Sequence, residues 1–249
     1  MAPLFIGLGV FGGVLLLGVL FVLVKNQSGG KASRPDNQRL TANHLKQLGV
    51  AIRNYHEVYE VYPPGGIYDI QGRGHHGWQT ALLPQMDQGP LYDRINFDVP
   101  WDDPKNIPHF QHELEAYCRA SDEPRKDAAG LGLSHWAANK HMMYRNSSLR
   151  LRDFWDGPSN TIMAGEVVGN FKPWGYPTNW RDPAAGINQG ASTFGNPHRK
   201  SGLFLMGDGS VREISENVLH QTLYRLSTVN RLASSEAVLF ATLVTFSLS

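Results

Sequence analysis

Residues Ser201 to Ile214 read SGLFLMGDGSVREI, and this stretch predicts a β-hairpin. An apolar strand at Leu203–Met206 leads into a turn at Gly207–Ser210, and a second strand follows at Val211–Ile214. The Asp-Gly pair inside the turn supports the positive φ angles that tight hairpin turns require. The stretch therefore predicts two adjacent antiparallel strands.

The residues on either side of this hairpin extend the prediction. Ser215 is a suitable N-cap for a final helix, whose inward residues would be Val218, Leu219, Leu223 and Leu226. Upstream, the segment Thr161–Val168 is predicted to be a strand, because it is apolar and follows a turn signal. Between Trp78 and Ile95, Pro84 and Pro90 are expected to break short helical segments.

A long amphipathic helix is predicted over residues 36–61. Its apolar residues recur mostly every three or four positions, at Leu40, Leu45, Leu48, Ile52, Tyr55 and Tyr59. Asp36 is the expected N-cap, and Pro63-Pro64 must end the helix. One long helix followed by strands indicates an α+β fold, with the helix packed on an antiparallel sheet.

The amino-terminal residues are predicted to form a transmembrane anchor over 1–25. No charged side chain occurs from Ala2 to Val24, and at ~1.5 Å per residue a helix of that length crosses the hydrocarbon layer of a bilayer. Residues 26–35 are rich in Gly and Ser and read as a flexible linker. The globular domain is then expected over 36–230, followed by an apolar tail of uncertain structure at 231–249.

Composition excludes several classes of function. With a formal net charge of +1, the 249-residue chain has no global attraction to nucleic acid, and no nucleic-acid motif is present. Cys118 is the only cysteine, which excludes a disulfide framework within the chain, and it is predicted to be a small packed residue. We find no phosphate-binding glycine loop, no HExxH signature and no nucleophile elbow. These observations predict a protein that is not an enzyme.

Four phrases resemble, in this order, a large bacterial family of unknown function. They are LKQLGVAIRNYHEVYEVYPPGG, WQTALLPQMDQGPLYDRINFDVPWDDPKN, DFWDGPSNTIMAGE and HRKSGLFLMGDGSVREIS. The family has a prepilin-like amino terminus and a carboxy-terminal H-X9-DG motif, which His198, Asp208 and Gly209 match here. The resemblance covers residues 40 to 230. It implies a pilin- or pseudopilin-like fold displayed outside the cytoplasmic membrane, and no established chemistry.

The direction in which the anchor is inserted has two opposing signals. Lys25, Lys31, Arg34 and Arg39 follow the apolar segment, which by the positive-inside rule favours a cytoplasmic domain. The resemblance instead implies a single-pass protein whose soluble domain is extracytoplasmic, and this is the localisation that we predict. Gly29-Gly30 and Pro35 interrupt the helix between anchor and domain, so we expect a tethered domain rather than a filament subunit.

His198 and Asp208 are also the candidates for a metal site. A hairpin that folds back could bring the two residues together, and pseudopilins bind calcium in their carboxy-terminal loops, which makes calcium the cofactor to consider near Asp208. The competing interpretation is that Asp-Gly is only turn chemistry. A metal-dependent hydrolase would need both residues to converge with His109 and His112 of the HFQH phrase.

Aromatic residues in loop-like segments offer a different candidate site. Trp136, Trp155, Trp174 and Trp180 would stack on a carbohydrate or peptide if they shared an exposed face. The sequence thus predicts a tethered, non-enzymatic pilin-like domain that acts in surface organisation, in assembly with secretion-system proteins or in binding the envelope. The alternative is an extracytoplasmic ligand-binding module, and a metal-dependent hydrolase is a third candidate.

Overall fold

The computed structural model describes residues 34–228 of the chain. The predicted anchor, nearly all of the predicted linker and the apolar tail therefore lie outside the described residues. Within 34–228, none of the helices combines the length and the apolar character that a membrane span needs.

The long helix, α1, runs from Arg34 to Tyr59. It begins two residues earlier than predicted, so Asp36 lies in its first turn and is not the N-cap, and residues 34 and 35 belong to the helix rather than to the linker. The buried stripe contains Leu45, Leu48, Ala51 and Ile52. At the carboxyl end Glu60 has a φ of 58°, a left-handed conformation that closes helices before a proline pair such as Pro63-Pro64.

Five strands form the main sheet, which has the order β7-β4-β5-β8-β9. Their bounds are Trp136–Asn139 for β4, Ile162–Glu166 for β5, Trp180–Arg181 for β7, Ser201–Met206 for β8 and Val211–Ser215 for β9. All neighbours pair antiparallel except β4 and β7, which are parallel. The predicted hairpin and the predicted strand over residues 161–168 are confirmed, and the fold is α+β.

Smaller elements surround this core. Two two-stranded sheets pair β1 with β2 and β3 with β6, where the strands are Gly66–Tyr68, Gly74–Gly77, Leu133–Ser134 and Lys172–Pro173. Four short helices complete the α elements: Trp78–Ala81 (α2), Gly89–Tyr92 (α3), Ile107–Phe110 (α4) and His220–Ser227 (α5). Single 3-10 turns occur at Leu83–Met86, Glu115–Tyr117, Leu151–Asp153, Pro158–Asn160 and Pro183–Ala185.

The sheet is covered on both faces, which explains why β8 is a continuous apolar run. Leu203 and Leu205 pack with α1 in one hydrophobic cluster, whereas Phe204 and Met206 pack with Leu223 of α5 in a second cluster. Successive side chains of a strand point to opposite faces, so a strand buried on both sides needs apolar residues at every position.

The final helix differs from the prediction at its start. Ser215 is the last residue of β9 and pairs with Ser201, so it does not cap α5, which begins at His220. Leu223 is buried as predicted, but Leu219 is 75% exposed. Strand pairing therefore outweighed the local capping signal at Ser215.

Candidate functional site

The Asp-Gly pair forms the turn of the β8–β9 hairpin. Asp208 Oδ1 accepts hydrogen bonds from the backbone N–H (2.9 Å) and the hydroxyl (2.6 Å) of Ser210, and Gly209 has a φ of +83°. Partial burial raises the pKa of Asp208, but the Ser210 hydrogen bonds and the charge of Arg212 outweigh it, so the pKa lies below its ordinary value. The Asp208 carboxylate thus stabilises the turn through both of these hydrogen bonds.

The same turn packs directly on α1. A Cβ atom added to Gly49 would lie 2.7 Å from Leu205 Cδ1 and 3.0 Å from the carbonyl oxygen of Gly209. The hydroxyl of Tyr62 donates a 3.2 Å hydrogen bond to the carbonyl of Gly207. Helix and hairpin therefore meet through glycine backbone, and the Asp208-Gly209 pair has a structural role.

His198 lies at the opposite end of β8 from Asp208. Five residue steps of ~3.3 Å separate the ends of this strand by roughly 17 Å. The hairpin therefore does not bring His198 and Asp208 together. In the described part of the chain, no group of three or more His, Cys, Asp and Glu residues is placed to hold a metal ion.

The two histidines of HFQH do not join either residue in a cluster within residues 34–228. His109 ends α4, and its carbonyl oxygen lies 2.9 Å from Nδ1 of His112, so the pair is part of a local turn. A further histidine, His76, is buried in β2, and burial lowers its pKa to about 4. The geometry that a metal-dependent hydrolase required is not formed by these residues.

The four candidate tryptophans do not form one stacking surface. Trp136 and Trp174 have no exposed surface, and their indole N–H groups donate to backbone carbonyls inside the core. These two rings therefore do not meet the condition of exposure that stacking on a ligand requires. Trp180 is half-buried against Tyr68, and Trp155 alone of the four is strongly exposed, at 81%.

A buried ionic network, which sequence reasoning missed, lies next to His198. Glu166, at the end of β5, has no exposed surface and forms an ion pair with Arg199. Its carboxylate also accepts hydrogen bonds from Asn196 Nδ2 (3.1 Å) and the backbone N–H of Leu203 (2.8 Å). Burial raises the pKa of Glu166, and the charge of Arg199 opposes that rise. One sequence signal could have indicated this network: a glutamate stands at the end of an apolar strand. A glutamate is rarely buried unless it is paired, so this position would have suggested a buried cationic partner.

A second buried arginine stands beside this network. Arg119 is 1% exposed, pairs with Glu123 and donates a 3.1 Å hydrogen bond to the carbonyl of Val167. Its guanidinium lies 5.4 Å from the ring centre of Phe171. The backbone N–H of Arg119 also donates to Nδ1 of His135, whose pKa burial lowers to about 4. Both arginines are therefore held by several partners at once.

Two clefts open on either side of the turn that carries His198 and Arg199. The first, about 670 Å³, lies between the first turns of α1, the segment 119–123 and the turn. The second, about 510 Å³, is lined by Val168, Asn188, Lys200 and Glu216. His198 and Arg199 line both clefts, so this turn forms a ridge between two concave surfaces.

The fold and this site describe an α+β domain with a helix-backed hairpin and a polar double cleft. The chain belongs to the family described as "Protein of unknown function (DUF1559)", whose model matches residues 41–175, more than half of the chain. The matched region contains Glu166 and Arg119 and ends before His198. No curated protein and no solved structure matches this chain.

Proposed function

We propose that this protein is a membrane-tethered, non-enzymatic, pilin-like domain on the extracytoplasmic side, acting in surface organisation, secretion-associated assembly or envelope binding. The observation that carries the proposal is the seating of the hairpin turn on α1 through Gly49 and Gly209. A long helix packed on an antiparallel hairpin is the core arrangement of a pilin-like domain. The charge-free run Ala2–Val24 supports the tether, and the His198 to Asp208 spacing supports the H-X9-DG assignment.

The burial of Cys118 and Glu166, two residue types that serve in covalent catalysis, supports a non-enzymatic role. Cys118 is buried, and burial raises the pKa of its thiol to about 11, so little thiolate forms at neutral pH. Glu166 is fully enclosed by its ion pair and hydrogen bonds. Neither group is placed to attack a substrate.

The tether and its direction are tested by fusing reporters to the carboxyl end of the full chain. Alkaline phosphatase is active only after export, and green fluorescent protein reports a cytoplasmic location. We expect phosphatase activity in a membrane fraction that resists carbonate extraction. The double variant Leu16→Lys and Val19→Lys should release the protein from that fraction, because each central charge costs about 2.5–3.5 kcal/mol in a membrane helix. Fluorescence without phosphatase activity would overturn the extracytoplasmic assignment.

A second candidate function, an extracytoplasmic ligand-binding module, is favoured by the double cleft at His198 and Arg199. Clefts of about 300–1,000 Å³ are the usual size for ligand sites, and both clefts fall in that range. The two functions are compatible, since a tethered domain can display a binding site.

A further inference from the structure

We propose that the turn Asn196–Lys200, with the two clefts that it separates, binds an acidic peptide segment, whose carboxylate is received by Arg199 between His198 and Lys200. The proposal deepens the ligand-binding candidate above and rests on it.

Arg199 is the anchor of this site. Its pairing with Glu166 removes two charges from water, which is costly unless the geometry and the additional hydrogen bonds are good, and Asn196 and Leu203 supply such bonds to the carboxylate. The consequence is a guanidinium held in one orientation, with 20% of the side chain exposed. A guanidinium that is fixed in one orientation and partly exposed suits a carboxylate, which accepts hydrogen bonds from arginine N–H groups.

The charges around Arg199 favour a short acidic ligand over a long polyanion. His198 and Lys200 flank it in the chain and are exposed, so both can approach a bound carboxylate. Asp122 lines the first cleft and Glu216 lines the second. A nucleic acid or a uniformly charged chain that crossed the ridge would meet these acidic side chains on both sides, whereas a peptide with one acidic cluster would not.

The lining of the first cleft favours a peptide over a sugar. It carries the side-chain amides of Asn37 and Gln38, which offer both donors and acceptors to peptide groups. Among residues 34–228, no tryptophan, tyrosine or phenylalanine lines either cleft, although sugar recognition commonly uses such rings for stacking. An extended segment advances ~3.3 Å per residue, so a few residues on each side of the acidic cluster would enter the clefts.

Binding is tested with the full chain in detergent by fluorescence anisotropy. The probe is a labelled nine-residue peptide with three central glutamates flanked by serine and alanine. Two matched probes are the same peptide with three central glutamines and a labelled oligogalacturonate of similar length. We expect saturable binding of the glutamate peptide only, and weaker binding as salt screens the charges.

Variants test whether the residues of the ridge bind the glutamate peptide. Lys200→Gln and His198→Gln change exposed side chains, and each should weaken binding by about three- to tenfold, while Lys105→Gln removes an exposed charge that lines neither cleft and should change nothing. Arg199→Lys keeps a cation for Glu166 but loses the planar fork, so it should also weaken binding, with its unfolding midpoint recorded to detect lost structure.

Three results would overturn the proposal. Equal binding of the glutamate and glutamine peptides would exclude carboxylate recognition. Equal effects of Lys200→Gln and Lys105→Gln would place the interaction elsewhere. Tighter binding of the oligogalacturonate would make the ligand a glycan. These readouts use purified protein, so they are independent of the reporter fusions, and failure of the tether or its direction can be told apart from failure of the site.

Discussion

Replacing Gly49 by alanine tests the contact that joins the helix to the hairpin. In a solvent-exposed helix interior this substitution stabilises by about 1 kcal/mol, because alanine loses less backbone entropy than glycine. In α1 the added Cβ would lie 2.7 Å from Leu205 Cδ1 and within 3.0–3.2 Å of the backbone of Gly209. We therefore expect Gly49→Ala to destabilise the protein rather than to stabilise it.

The magnitude follows from two opposing contributions. Overpacking a core contact costs about 1–3 kcal/mol, and Leu205 is only 1% exposed, so its side chain has little room to move aside. After subtracting the helix-propensity gain, the net loss should be about 1 kcal/mol. For a domain of this size that lowers the melting temperature by about 2–4 °C.

The assay is urea unfolding of the full chain in detergent, followed by tryptophan fluorescence. Asn54→Ala is the matched control, because Asn54 is an exposed residue of α1 and its replacement should stabilise slightly through helix propensity alone. Combining Gly49→Ala with Leu205→Ala should cost at least about 0.5 kcal/mol less than the sum of the single changes, since the shorter side chain removes the closest contact and leaves only those with Gly209. A Gly49→Ala variant more stable than the wild type would refute the close contact.

Three further predictions concern burial. His76 and His135 are both buried as neutral rings with a pKa of about 4, so the unfolded chain binds more protons between about pH 6.5 and 4. Stability should therefore fall across that window, by up to about 3 kcal/mol for each histidine, and a urea midpoint that stays level on acidification would contradict this. The thiol of Cys118 should resist a disulfide reagent at pH 8 and react fully in urea, so rapid labelling of the native protein would place it at the surface. Trp136→Ala should destabilise by about 3–5 kcal/mol, whereas Trp155→Ala, which changes a side chain that is 81% exposed, should alter the unfolding midpoint little; comparable losses would reverse this assignment.

The elements that could be predicted from sequence were those with a strong local pattern. The predicted bounds of helix α1 and of the β8–β9 hairpin agree with the structure to within two residues at each end. Their hydrophobic periods and turn residues each lie within one short segment of sequence. The errors were at positions where a local signal competed with pairing elsewhere. Ser215 had the side chain of an N-cap, yet it closes a strand because Ser201 pairs with it.

The candidate site was less predictable than the fold. Trp136 and Trp174 were placed in loops because turn residues surround them, but both pack in the core, where a tryptophan buries more apolar area than any other side chain. Glu166 was not predicted to be buried, because its partner is distant in the sequence. Its burial depends on Arg199, which is 33 residues away in the chain, and no local pattern contains both.

The amphipathic helix, the apolar hairpin with its Asp-Gly turn and their combination in an α+β fold follow from local sequence, because backbone geometry and side-chain periodicity act over a few residues. Tertiary packing places His198 and Asp208 at opposite ends of β8, rests the turn on Gly49, and brings Glu166, Asn196 and Arg199 together beside two clefts. These arrangements join residues from separate elements, and which residues meet is set by how the helix and the sheet pack.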